Sequence, residues 1–313
     1  MRFVDVKSDI AFKRIFGNEN RKEILISFLN AVLGLSGDRE IGDIEILNPY
    51  QVPKIEGLKE TVLDIRAVDK RDVTFIVEIQ IQKKKGFEKR VMYYASKAYI
   101  DQLGRGEDYP NLKPVIYIGI LNFKVFNGNN YLTRHLILDT DTFEQKLKDF
   151  EFHFIELPKF TKGEDEVESI TEKWVYFIKN AYSLEMVPRC ADFVEIKEAY
   201  EIANESTWSR KELEIYGYWQ MRLQDERGAI ENSFDEGKIE GRIEGKIEGL
   251  AEGERKGLIR GIEGMLEVKY GDKGIELMDS VRALESIEKI EAFNQLLRKA
   301  VSVDGLWEYL KGT

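Results

Sequence analysis

Two carboxylates, Asp64 and Glu78, stand fourteen residues apart in the stretch 62–82, VLDIRAVDKRDVTFIVEIQIQ, with Gln80 two residues beyond the second. Acidic oxygens brought together hold a hard divalent cation such as Mg²⁺ or Mn²⁺, and an amide beside them can orient water or a phosphate. Whether the two acids meet depends on the local fold. The odd positions Val73, Phe75, Val77, Ile79 and Ile81 are apolar while Thr74, Glu78, Gln80 and Gln82 occupy even ones, which is the period of a strand. Residues 62–68 are β-branched or apolar except for Asp64 and Arg66, and Asp69-Lys70-Arg71-Asp72 has turn composition, so the stretch predicts a β-hairpin.

Two registers fit that hairpin, because residues directly opposite each other share one face of the sheet. A loop of residues 69–72 sets Val68 against Val73, places Asp64 opposite Val77 and turns Glu78 to the other face. A loop of residues 70–72 sets Asp69 against Val73 and Asp64 opposite Glu78. Only the second makes a site, with Cβ atoms about 4.5–5.5 Å apart. Such a pair repels itself unless a cation lies between the two groups.

Asp64 followed by Glu78-Ile79-Gln80 resembles the Asp…Glu-x-Lys/Gln signature of PD-(D/E)XK nucleases, in the branch of Rpn recombination-promoting nucleases or putative transposases. The segments 7–34, KSDIAFKRIFGNENRKEILISFLNAVLG, and 87–103, FEKRVMYYASKAYIDQL, resemble that branch too, as does a C-terminal run of Glu-Gly repeats. The resemblance implies an α/β, restriction-endonuclease-like core of mixed β-sheet flanked by helices. It further implies a DNA endonuclease that uses Mg²⁺, with Mn²⁺ or Ca²⁺ as alternatives, and that serves recombination or defence against mobile or phage DNA. Asp64 and Glu78 would be the metal ligands, with Gln80 placing the water. The resemblance makes Asp9 a further acid of the site, whereas its place in a first helical turn makes it a complement to the helix dipole.

Two positions depart from the wider superfamily pattern. Leu63 stands where the name-giving proline would be, at a place that only shapes a strand. Gln80 stands where many members carry lysine, so no cation is supplied there beside the scissile phosphate.

Composition bounds the rest. The chain has 313 residues, 43% hydrophobic and 33% charged, enough for a catalytic domain and a helical extension. Its single cysteine, Cys190, excludes an internal disulfide, and two histidines without cysteine partners argue against a zinc site. No signal-peptide core opens the sequence and its longest apolar run, 24–35, is broken by Ser27 and Asn30, so no membrane association and a cytoplasmic location are expected. A net charge of −10 runs against DNA binding. Much of that acid follows residue 140, however, and Lys13, Arg14, Lys83-Lys84-Lys85, Arg90 and Lys97 can form a basic rim around the hairpin.

Helices are expected from Ser8 as N-cap to Gly17, over 20–33, and over 87–103. In the last, Arg90, Tyr94, Lys97 and Asp101 share one stripe while Met92, Ala95, Ala98 and Tyr99 form the inward one. The outer stripe reads either as a solvated face or as a DNA contact through Arg90 and Lys97, with Tyr94 stacking near a base or sugar. Residues 42–54 predict an edge strand confined by Pro49 and Pro53, and 54–60 a polar loop. The apolar run 113–126 predicts a strand buried on both faces, followed by strands over 133–138 and 150–157 that carry His135 and His153 as structural residues. Beyond Lys159 the chain reads as helical, over 166–182, 191–204 and from about 209.

From Gly237 to Gly261 seven glycines recur every fourth residue, with Ile239, Ile243 and Ile247 in register. They cost a helix about 6–7 kcal/mol against alanine. The segment is therefore either a linker or a seam at which a second helix approaches closely, as small-residue stripes allow; the second reading implies a homodimer. Short amphipathic helices then close the chain, with Ile290, Phe293, Leu297 and Trp307 as their apolar contacts. These signals divide the protein into a nuclease-like domain at 1–160, a helical region at 161–235, the glycine repeat at 236–264 and a small helical cap at 265–313. The expected function is a metal-dependent DNA endonuclease, with Lys13, Arg90, Tyr94 and Lys97 on the DNA. The alternative is a decayed nuclease core serving as an oligomerising interaction protein.

Overall fold

A computed structural model describes residues 1–48, 50–51, 61–104 and 106–312. The Ser8 hydroxyl caps helix α1 (Asp9–Phe16) by accepting from the Ala11 amide at 3.2 Å, and Gly17 ends it. Helix α2 (Lys22–Leu33) stops at Gly34, whose left-handed φ of 62° suits a residue without a Cβ. The strands follow in order: β1 (Ile44–Leu47), β2 (Tyr50–Gln51), β3 (Thr61–Val62), β4 (Ile65–Asp69), β5 (Thr74–Gln80), β6 (Val115–Leu121), β7 (Leu132–Leu136) and β8 (Phe150–Glu156). Helix α3 (Phe87–Ile100) connects β5 to β6. The predicted edge strand is β1, which lies at the margin of the sheet; Pro49, Pro53 and the loop expected at 54–60 fall outside the described residues.

Six strands form one mixed sheet in the order β1-β4-β5-β6-β8-β7, while β2 and β3 make a separate ribbon. The β5-β6 and β6-β8 pairs are parallel and the other pairs antiparallel. Strand β6 is buried on both faces, as the run at 113–126 predicts, but it ends at Leu121 rather than continuing to Phe126. Gly119 sits within it because the Phe154 ring from β8 fills that place; a Cβ there would come within 2.9 Å of the ring.

The two faces of the sheet bury different cores. Phe75, Val77 and Ile79 point to one face, against α1, α2 and the later helices α4 (Ile170–Asn180) and α5 (Val194–Ala203). Ile76 points to the other, against Phe87, Val91 and Ala95 of α3. Strand β5 is therefore buried on both sides. On α3, Ala95 and Ala98 are buried and Tyr99 packs against the same core, as the predicted inward stripe has them, but Val91 takes the place expected of Met92, which is 49% exposed.

Compact units run Met1–Arg222 and Leu223–Thr313. In the first, Trp174 and Phe177 of α4 pack against Phe16 and Phe28, so the helices following residue 160 share the core of the sheet. Hydrophobic contacts between distant helices, which no local composition records, make that continuity. The helix α6 (Arg210–Tyr270) carries the glycine repeat. In the second unit its residues Ile262 and Leu266 bury against α7 (Asp272–Ile275), α8 (Met278–Arg282), α9 (Ile287–Lys299) and α10 (Asp304–Lys311), through Met278, Phe293, Leu297 and Leu306. Gly274 lets α7 approach closely, since a Cβ would meet the Leu266 carbonyl at 2.5 Å. No described helix is long and apolar enough to cross a membrane.

Candidate active site

The turn between β4 and β5 decides whether a site exists. Asp69, 6% exposed, accepts from the amides of Arg71 at 2.9 Å and Val73 at 3.1 Å, and its own amide donates to the Val73 carbonyl at 3.2 Å. Asp72 takes a left-handed φ of 61°, completing the three-residue loop 70–72. The ladder therefore pairs Val68 with Thr74 and Ile65 with Val77. The ladder ends there, and Asp64, in a bend just before β4, meets Glu78 through its own amide.

Each carboxylate accepts a backbone amide from the opposing segment. The Asp64 amide donates to Glu78 Oε1 at 2.9 Å, and the Ile79 amide donates to Asp64 Oδ2 at 2.8 Å. Glu78 is 4% exposed. Burial pushes Asp64 up to about 7, with the Asp9 carboxyl adding to the rise and the Ile79 amide and Lys13 opposing it. Burial and then the charge of Asp64 push Glu78 up to about 8, against the pull of the Asp64 amide, Arg90 and Lys13. The pair titrates as a unit. Both shifts record negative charge held out of water without enough positive charge nearby.

Side chains from both helical layers converge on this pair. From α1, Lys13 lies 2.8 Å from Asp9 and 3.9 Å from Asp64. Burial opposes its charge, but Asp9, with Asp64 and Glu78 behind it, holds the ammonium above its ordinary range. Asp9 itself stands on the open side, its side chain 58% exposed. From α3, Arg90 donates to the Gln80 amide oxygen, and Gln80 Nε2 donates to Glu78 Oε2 at 3.3 Å. Tyr94 is half-buried, its hydroxyl held up by burial and by the charge of Glu78. Lys97 lies one turn further along α3, where its carbonyl accepts from the Asp101 amide. Lys83, Lys84 and Lys85 are exposed between β5 and α3.

Sequence reasoning thus names the residues that meet but misses two links. The Asp9–Lys13 pair was legible in its i, i+4 spacing; the Gln80–Arg90 bond depends on how α3 docks and left no local signal. The histidines are structural: His153 is buried against Glu151, and His135 packs on Phe126 and Phe154. Cys190 is half-buried, and burial pushes its thiol up.

The all-oxygen donor set, buried and short of countercharge, suits a hard divalent cation such as Mg²⁺ or Mn²⁺. Among the described residues no group of three or more His, Cys, Asp and Glu is placed to hold a metal ion. A mixed sheet flanked by helices, with an Asp just ahead of one strand brought to a Glu-x-Gln on the next, is the arrangement of a nuclease-type protein. Residues 6–233 match the PD-(D/E)XK nuclease family transposase, and the chain belongs to that family. No curated protein and no solved structure matches the chain.

Proposed function

We propose that the protein is a metal-dependent DNA endonuclease. The observation that carries this reading is the meeting of Asp64 and Glu78, where the Asp64 amide donates to Glu78 at 2.9 Å and the Ile79 amide to Asp64 at 2.8 Å. An isolated anionic pair in that position weakens the fold unless it serves a cation, and Asp64 and Glu78 would hold Mg²⁺. A bound divalent ion there supplies Lewis-acid polarisation of the phosphate and a lowered pKa for water. Glu78 would fix its position from strand β5, a rigid support, and Asp64 from the bend that leads into β4. Gln80 joins Glu78 through its amide, and Asp9 sets Lys13 beside Asp64. Lys13, Arg90, Tyr94 and Lys97 form the DNA-facing rim, which the exposed Lys83-Lys84-Lys85 extends. The transposase description of the family suits cleavage in DNA recombination or in defence against mobile elements.

The glycine repeat supports a homodimer within this function. An added Cβ at each glycine from Gly237 to Gly261 meets nothing within 4 Å in its own chain, and Ile239, Ile243 and Ile247 are 54–62% exposed. Two tethered cores could reach both DNA strands.

Supercoiled plasmid is the direct substrate for the test. The wild type should nick or linearise it with Mg²⁺ or Mn²⁺ and not with EDTA, while Asp64→Asn and Glu78→Gln fall to background with unchanged circular dichroism. A folded wild type inert across the metal series would favour the rival reading, an interaction protein on a decayed nuclease core, to which the missing motif lysine at Gln80 lends support.

A further inference from the structure

The nuclease reading leaves a gap: catalysis at a phosphodiester needs positive charge near the phosphate, and position 80 supplies none. The surroundings of Gln80 indicate where it comes from. Its amide lies between a carboxylate and a guanidinium, and only one orientation satisfies both, with Oε1 accepting from Arg90 and Nε2 donating to Glu78. The docking of α3 fixes Arg90 there. Phe87, Val91 and Ala95 bury against the sheet, Gly86 opens the helix at a φ of 79°, and the Arg90 amide donates to the Gly86 carbonyl at 3.0 Å.

We infer that Arg90, held in place by Gln80, is the residue that presents positive charge to the scissile phosphate, and that Gln80 is a positioning residue rather than the one that orients water. The inference rests on Asp64 and Glu78 being the nuclease carboxylates. A guanidinium has five N–H donors and the Gln80 bond uses one, so the rest stay available to a phosphate in the fork geometry that arginine favours. A lysine at position 80 would have no acceptor for Arg90 and would set a second cation against it. Glutamine is then a requirement of Arg90, not a weakened lysine.

The test is a double-mutant cycle on the full chain: Gln80→Leu, Arg90→Met, the double variant, Gln80→Lys and Arg90→Lys. Single-turnover cleavage of a DNA duplex is read beside Mn²⁺ binding by calorimetry and thermal unfolding. Arg90→Met should lower the cleavage rate about 10²–10³-fold. Gln80→Leu should lower it by a comparable factor, and the double variant should be no worse than Arg90→Met. Arg90→Lys should keep part of the activity, and Gln80→Lys should lose rather than gain it. Mn²⁺ affinity and unfolding temperature should stay near wild type throughout, which a collapse of the site would not permit. Losses that multiply in the double variant, full activity in Arg90→Met, or a Gln80→Lys protein at least as active as wild type would overturn the role of Arg90 alone. A wild type that neither binds Mn²⁺ nor cleaves would instead overturn the nuclease reading, and this inference with it.

Discussion

Two glutamates near the ends of the strands that flank β6 have opposite fates. Glu156, at the end of β8, is 0% exposed and fully answered: the amides of Val125 and Phe126 donate to it, and Lys159, also buried, pairs with it while donating to the Phe126 carbonyl at 2.8 Å. Glu78, near the end of β5, is as deeply buried but faces another carboxylate, and among the described residues it has no ion pair of its own; Gln80 stands between it and Arg90. A buried charge that is paired holds a loop in place. One left short of countercharge is held protonated by its burial or, in the proposed function, takes up a cation.

The largest expected effect breaks the satisfied member. Lys159→Met leaves Glu156 buried and alone, which should cost about 3–5 kcal/mol in denaturant unfolding. The change at the other site has the opposite sign, since Glu78→Gln removes a charge that the metal-free fold resists. Both Asp64 and Glu78 titrate higher in the folded chain than in the unfolded one, so the folded state binds more protons. The stability this contributes is complete below the ordinary carboxylate range near pH 4 and is lost as pH rises through about 7 and 8. In EDTA, Glu78→Gln should match wild type at pH 4 and exceed it at pH 9 by about 1–3 kcal/mol. If Glu78→Gln is instead less stable than wild type at pH 9, the carboxylate is a structural group like Glu156 and the contrast fails.

A smaller effect sharpens the comparison between the packed C-terminal end of the second unit and the exposed repeat within it. Gly241→Ala and Gly245→Ala meet no atom of their own chain, so in a monomer each should stabilise the helix by about 0.8–1 kcal/mol. At a seam between two chains the added side chains clash instead, and Gly241→Leu with Gly245→Leu should convert a dimer to a monomer in light scattering after size exclusion. A dimer indifferent to both leucines would place the contact elsewhere. Smallest of all, Asp72→Gly should relieve the left-handed φ and raise stability by about 0.5–1 kcal/mol, read as a shift in denaturant midpoint.

The hairpin was legible because alternation over 73–82 fixes which residues share a face, whereas its register was not, since parity admits two loop lengths. The side chain of Asp69 decides that choice by capping the turn, and an aspartate two and four residues before the amides it accepts from was a readable sign of it. The helices at 9–16 and 22–33 announced themselves by cap and glycine. What the sequence concealed was long-range: the docking of α3 on the sheet, which exchanges Met92 for Val91, the packing of Trp174 against Phe16 and Phe28, and the meeting of Arg90 with Gln80. Each depends on how two elements dock, which local periodicity does not record.

The central claim, that the Asp64–Glu78 pair is a cation site, is tested most directly by titrating Mn²⁺ into metal-free protein in a calorimeter, in buffers of different ionisation enthalpy. The carboxyls must lose their protons to bind the ion, so binding at pH 7 should release protons and its affinity should rise between pH 6 and pH 8.5. Asp64→Asn and Glu78→Gln should each abolish it. Heats that are the same in wild type and both variants, or no saturable binding in the wild type, would contradict the account.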